Sequence, residues 1–266
     1  MIRRPPVLLP LVILLLLIPF SENVAQIQVA AQRDMQAVSV LNQVIANAGG
    51  SAALVAIQDF TATGTITFNW AGEDVSGTVA IKGRGLRQFR MEATLSDGVR
   101  TWLLNNGQAS KEADGTVTSV PYHTALNFES LTFPFAHLLG ALQDASVSIS
   151  YVGLETIGDS QVHRIHLQKA LSQADDLNGI RATLSRKDFL IDSTTNHIIA
   201  IQEMVHGKDR ITEEHPHEVR FSNYQSIGSV SVPLSIMETN SGQRLFTIQI
   251  NQIAFNTGLS DSDFAQ

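Results

Sequence analysis

Apolar and polar positions change rhythm twice along this chain. Between Asp34 and Ala48, the apolar residues Met35, Val38, Leu41, Val44, Ile45 and Ala48 recur at helical spacing. Asp34 is the candidate cap and Gly49-Gly50 the stop. Ser51 is placed to cap a second short helix reaching Gln58. From Phe60 the period becomes two. Phe60, Ala62, Ile66, Phe68 and Trp70 alternate with Thr61, Thr63, Thr65, Thr67 and Asn69, which predicts a strand with one buried and one wet face. After the turn Gly72-Glu73-Asp74, Val75, Gly77, Val79 and Ile81 continue the alternation on a return strand. Phe89, Met91, Ala93 and Leu95 form the next inward row, and Trp102 and Leu104 follow the Asp97-Gly98 hairpin signal. Asn106-Gly107 and Asp114-Gly115 mark further turns.

The middle of the chain loses this alternation. Pro121 to Ala145 holds Leu126, Phe128, Leu131, Phe133, Phe135, Leu138, Leu139 and Leu142, which predicts one or two short helices separated by Pro134. Strand patterns resume near 146–157, 161–169, 183–192, 198–206, 217–224, 232–239 and 244–255. The total is about eleven strands, nearly all joined as hairpins, in a mainly β fold. Residues 170–180 read as a polar excursion, and Leu259 to Gln266 as a poorly specified end. A meander of one-sided strands needs its apolar face covered by closure, by a second sheet or by helices. The small helix supply favours a curved sheet with an N-terminal helix and a helical plug on its concave side. Such an interior is apolar without being wholly filled.

The first residues read as a secretory leader: Arg3 and Arg4, then an apolar run from Val7 to Phe20 broken by Pro10 and Pro19. The run is shorter than the roughly 20 residues a membrane span needs. Ala25 is the first choice for the residue before the cut and Ala31 the second. Cleavage at Ala25 leaves 26–266 as the expected single domain, placed in the periplasm with no permanent membrane anchor. The chain has no cysteine, so neither a lipid-bearing N-terminal cysteine nor a disulfide is possible. Losing Arg3, Arg4 and Glu22 with the leader takes Lys+Arg from 18 to 16 and Asp+Glu from 25 to 24, a net charge of about −8. That balance argues against nucleic acid as a partner.

From Val79 to Gly107 the sequence reads VAIKGRGLRQFRMEATLSDGVRTWLLNNG. It is similar to the stretch of bacterial outer-membrane lipoprotein carriers, the LolA/LolB-like superfamily, that runs strand, basic turn, strand, Ser-Asp-Gly hairpin and Trp-bearing strand. Lys82 and Arg84 stand at the basic turn, here without its proline; Ser96-Asp97-Gly98 forms the hairpin and Trp102 follows. The run Phe189-Leu190-Ile191-Asp192 with Ile198 to Val205 resembles a later hairpin of the family. So does the close, where Pro233 opens a strand and Asn256 to Phe264 ends in acidic residues before an aromatic one. The resemblance implies an incomplete, half-open antiparallel β-barrel capped by helices, with an apolar cavity for acyl chains.

On that reading Phe68, Phe89, Met91 and Trp102 on the sheet, with Phe133, Phe135, Leu138, Leu139 and Leu142 on the plug, are the candidate cavity wall. Arg84 is the candidate for a headgroup or for bracing the mouth. Each wall residue also fits a role in ordinary core packing. The expected ligands are lipid or lipoprotein acyl chains, with envelope proteins as donor or acceptor. A non-transport module of the same fold, a sensor or assembly partner, is the alternative. His215 and His217 share a strand face at spacing two, but no third metal ligand is implied, and Pro216 marks a strand entry or edge. His163 and His166 point to opposite faces. No Gly-x-Ser-x-Gly elbow, His-Glu-x-x-His helix, phosphate loop or thiol nucleophile is present, so no enzyme, cofactor or metal is expected.

Overall fold

The computed structural model describes residues 31–70 and 72–266, so the predicted leader and its cut at Ala25 lie outside the described residues. Helix α1 (Met35–Asn47) begins where the periodicity places it, with the Asp34 carboxylate accepting from the Ala37 N–H at 2.9 Å. Its buried face is Ala37, Val40, Leu41, Val44 and Ile45. Gly49 ends it at φ +118°, and a Cβ there would lie 2.2 Å from the Ser229 carbonyl oxygen. Only glycine lets this corner approach the sheet so closely. The next helix, α2 (Ser51–Val55), is shorter than expected, and Gly50 rather than Ser51 is its N-cap residue.

The strands are β1 (Asp59–Trp70), β2 (Glu73–Arg84), β3 (Gln88–Leu95), β4 (Gly98–Asn105), β5 (Gln108–Ala113), β6 (Thr116–Val120), β7 (Val147–Ile157), β8 (Ser160–Lys169), β9 (Lys187–Asp192), β10 (Ile198–Gly207), β11 (Arg210–Ile227), β12 (Val230–Asn240) and β13 (Gln243–Phe255). That makes thirteen among the described residues, not eleven. The two additions, β5 and β6, follow the turns already marked by Asn106-Gly107 and Asp114-Gly115. They were illegible because β6 is almost wholly exposed and β5 buries only Ala109 and Ser110. Edge strands carry no strong alternation. All thirteen form one antiparallel sheet ordered β6-β5-β4-β3-β2-β1-β13-β12-β11-β10-β9-β8-β7. Two meanders thus join through β1 and β13, while β6 and β7 remain unpaired with each other, so the curved sheet is a half-open barrel.

The segment joining those edges is the plug: α3 (Tyr122–Phe128), a 3-10 turn (Glu129–Leu131) and α4 (Pro134–Gln143). Pro134 opens α4 at its first turn, the position where a missing N–H costs nothing. Arg33 holds the other end, donating to the carbonyls of Ala141 and Leu142 at 2.9 and 3.0 Å. Inward rows of both meanders, α1 and the plug share one apolar cluster.

Two further expectations need correction. The strand placed at 183–192 starts only at Lys187, because the Asp176 carboxylate accepts from the Arg181 and Ala182 N–H groups and starts the short helix α5 (Ile180–Leu184). The C-terminal tail is also well specified. Asp59 accepts from the N–H groups of Thr257, Gly258 and Leu259 at 2.6 to 3.2 Å. Ser260 and Asp263 form a capping box around the 3-10 turn Asp261–Phe264, and Phe264 is fully buried.

Candidate functional site

The nine residues of the predicted wall come together in the apolar cluster. The Phe68 and Trp102 rings stack at 5.3 Å, and Phe246 meets Phe68 edge-on at 5.4 Å. Phe89, Met91, Phe135 and Leu138 are completely enclosed. Phe133 packs on Phe60, Phe135 and Phe255 with centroids 5.3 to 6.2 Å apart. Trp102, Leu139 and Leu142 are partly buried against the same cluster.

A cavity of about 870 Å³ lies beside the plug and is lined by other residues. Its apolar lining includes Leu86, Leu126, Val147, Leu167, Leu171 and Leu184. These come from five different places: the β2–β3 turn, α3, the start of β7, the end of β8 with the loop after it, and α5. Ala141 and Gly140 of α4 form the plug side. The cavity therefore sits at an open end of the half-barrel, between the plug and the strand ends.

Beneath it, the inward face of the second meander turns polar. Lys187, Glu203 and His217 occupy inward positions on β9, β10 and β11, two residues along from Phe189, Ile201 and Val219. Glu203 and His217 are direct cross-strand partners. The Lys187 ammonium pairs with Glu203 and donates to the Ser130 hydroxyl of the plug at 3.0 Å, and Ser130 donates to Glu203 at 2.6 Å. His217 lies between Glu203 at 3.2 Å and Glu238 at 2.8 Å. Burial alone would raise the Glu203 pKa, but Lys187 and His217 outweigh it and hold it at about 2. Burial works against a charged His217, yet its two carboxylate partners push it up to about 9. On the plug, burial and the nearby Lys187 charge lower His137 to about 4, and its Nε2 lies 2.8 Å from the Glu129 carbonyl oxygen. Burial raises the Glu129 carboxyl, against the pull of Lys187. Both His137 and Glu129 line the cavity.

Arg84 does not line it. Its guanidinium donates to Gln88 at 2.6 Å and to the Leu259 carbonyl at 3.1 Å, and it pairs with Asp261. Lys82 pairs with Asp263 at 2.7 Å. The basic turn thus pins the C-terminal tail across the outside of the sheet, next to the Leu86 and Arg87 turn that does reach the cavity. His215 and His217 do not act as a pair. His217 is enclosed by carboxylates, while the half-exposed His215 lies 3.3 Å from Glu213. His163 contacts the Tyr151 hydroxyl and His166 contacts Asp188, at 2.9 and 2.6 Å.

A curved antiparallel sheet wound around its own helical plug, with a cavity left at one end, defines a class of half-open barrels. No protein-family model matches the chain. No curated protein matches it either. Solved structures do. A LolA-superfamily protein from Nitrosomonas europaea aligns with a TM-score of 0.52 over 86% of this chain and 97% of its own, at 11% identity. An outer membrane lipoprotein-sorting protein domain from Vibrio parahaemolyticus gives 0.51 over 86% and 96%, also at 11% identity. A DUF1329-family protein from Desulfovibrio piger gives 0.51 over 86% and 97%, again at 11%. At such identities the likeness is one of fold: the chain shares the half-open barrel fold of these structures.

The sequence reading missed the polar row of Lys187, Glu203 and His217. Its signal was present: each is a polar residue at a position where the alternation calls for an apolar one.

Proposed function

We propose that this protein is a periplasmic binder or carrier of lipid or lipoprotein acyl chains, received in the cavity beside the plug. The observation that carries the reading is the cavity itself. Its volume of about 870 Å³ falls within the roughly 300–1,000 Å³ usual for ligand sites, and leucines and valine dominate its apolar wall. An acyl chain of about 15 methylenes, at about 0.8 kcal/mol each, costs roughly 12 kcal/mol to expose to water. Such a chain needs an escort across an aqueous compartment. The leucine and valine side of the wall buries it without dictating its orientation, so release stays feasible. The plug separates this cavity from the aromatic interior. Phe133, Phe135, Leu138, Leu139 and Leu142 on the plug, and Phe68, Phe89, Met91 and Trp102 on the sheet, are the surface a longer chain reaches as the plug shifts. Arg84 braces the turn at the mouth by way of the tail.

The test is saturable binding of a fluorescent acyl probe by the purified protein, with mass spectrometry of its organic extract. Leu171→Glu and Leu184→Glu are partly exposed lining changes and should abolish probe uptake while leaving the unfolding midpoint nearly unchanged. Phe89→Glu should instead unfold the chain. Undiminished uptake by both lining variants would overturn this placement of the ligand.

A further inference from the structure

We propose that the cavity selects amphiphiles carrying an anionic, phosphate-bearing headgroup, held by Arg87, Lys169 and Arg181. The inference rests on the acyl-chain reading above and names its substrate class: an anionic lipid rather than the uncharged anchor of a lipoprotein.

The three cations reach one cavity from three elements: the β2–β3 turn, the end of β8, and α5. Most cations of this acidic chain are already committed to carboxylates. Lys82, Arg84, Arg90, Arg100, Arg164 and Arg186 each have one within 4.0 Å. Among the described residues, the side chains of Arg87, Lys169 and Arg181 have none; the Arg181 guanidinium donates to the Asp175 carbonyl oxygen at 3.0 Å. All three are exposed.

The two lining carboxylates, Asp144 and Glu129, offset the three cations only in part. Asp144 is occupied by the Ser146 N–H and hydroxyl at 2.9 and 2.6 Å. Glu129 lies deeper, where burial raises its carboxyl against the pull of Lys187, Lys169 and Arg87. The fourth lining cation, Lys187, is neutralised by Glu203. The result is a local excess of positive charge at the border of an apolar hollow, in a molecule whose net charge is −7. Arginine and lysine donors suit phosphate oxygens, and the leucines between them suit the attached chain.

Isothermal titration at low salt tests this with three probes: lysophosphatidylglycerol, lysophosphatidylcholine of the same acyl chain, and inorganic phosphate. The purified mature protein is compared with an Arg87→Gln, Lys169→Gln, Arg181→Gln variant. The wild type should prefer the anionic lysolipid by roughly tenfold, as expected for a few exposed charge contacts. The variant should lose that preference, so that the two lysolipids bind it alike. Equal affinity of the wild type for the two lysolipids, or a preference that survives in the variant, would overturn the inference and leave the acyl-chain reading standing. Phosphate binding as tightly as the anionic lysolipid would overturn it in favour of a free-anion site. If neither lysolipid binds, the acyl-chain reading fails along with it.

Discussion

The plug is seated differently on its two sides. Toward β1 and β13 it rests on rings, with Phe133 between Phe60 and Phe255. Toward β9, β10 and β11 it is tied by directional bonds: Ser130 to Glu203 and Lys187, and the Asn127 side-chain amide to the Met204 carbonyl. Ring contacts are non-directional and tolerate sliding. A buried ion network does not, since moving one partner strands a charge. A plug that must yield to a ligand is thus hinged more easily on its apolar seat than on its ionic one.

The largest expected effect strikes the ionic seat. Glu203→Gln leaves the buried Lys187 without its counter-ion, and urea unfolding should show a loss of about 4 kcal/mol. If the loss is below about 1 kcal/mol, the ionic seat does not hold the plug. Next, Phe133→Ala removes the ring that meets β1 and β13 and should cost about 3 kcal/mol. Since it loosens the side that can slide, it should also speed uptake of the acyl probe in stopped flow, and slower uptake would reverse the assignment of the two seats.

The smallest effect is a pH dependence that only the ionic seat can supply. With His217 raised from 6.5 to about 9, its stabilisation is complete below pH 6.5 and is lost as pH rises toward 9. With Glu203 lowered from 4.5 to about 2, its stabilisation is complete above pH 4.5 and is lost as pH falls toward 2. The urea midpoint should therefore peak near about pH 5 to 6, and the part of the alkaline limb between about pH 6 and 8 should amount to about 2 kcal/mol. His217→Gln should flatten that limb; an unchanged limb would assign it to other groups.

Much of the architecture was legible. The alternation from Phe60 to Leu104 defined strands with one inward face, and Asp34 marked the start of α1 at the residue that caps it. β5 and β6 escaped because strands on an open edge bury little. The tail escaped because its order comes from Asp59, Lys82 and Arg84, distant in sequence, and not from local propensity. For the site, aromatic content pointed to the wall residues, yet the apolar part of the cavity lining is leucine and valine from turns, short helices and strand ends, which share no local pattern.

The sequence by itself determined the mainly β class, the apolar inward rows, the central helical segment and the acidic balance, since each depends on period and composition over short stretches. Only the tertiary structure decided that Lys187, Glu203 and His217 share a buried row, and that Arg87, Lys169 and Arg181 border one hollow. Those groups are joined across strands and turns by the curvature of the sheet, and no local pattern encodes curvature.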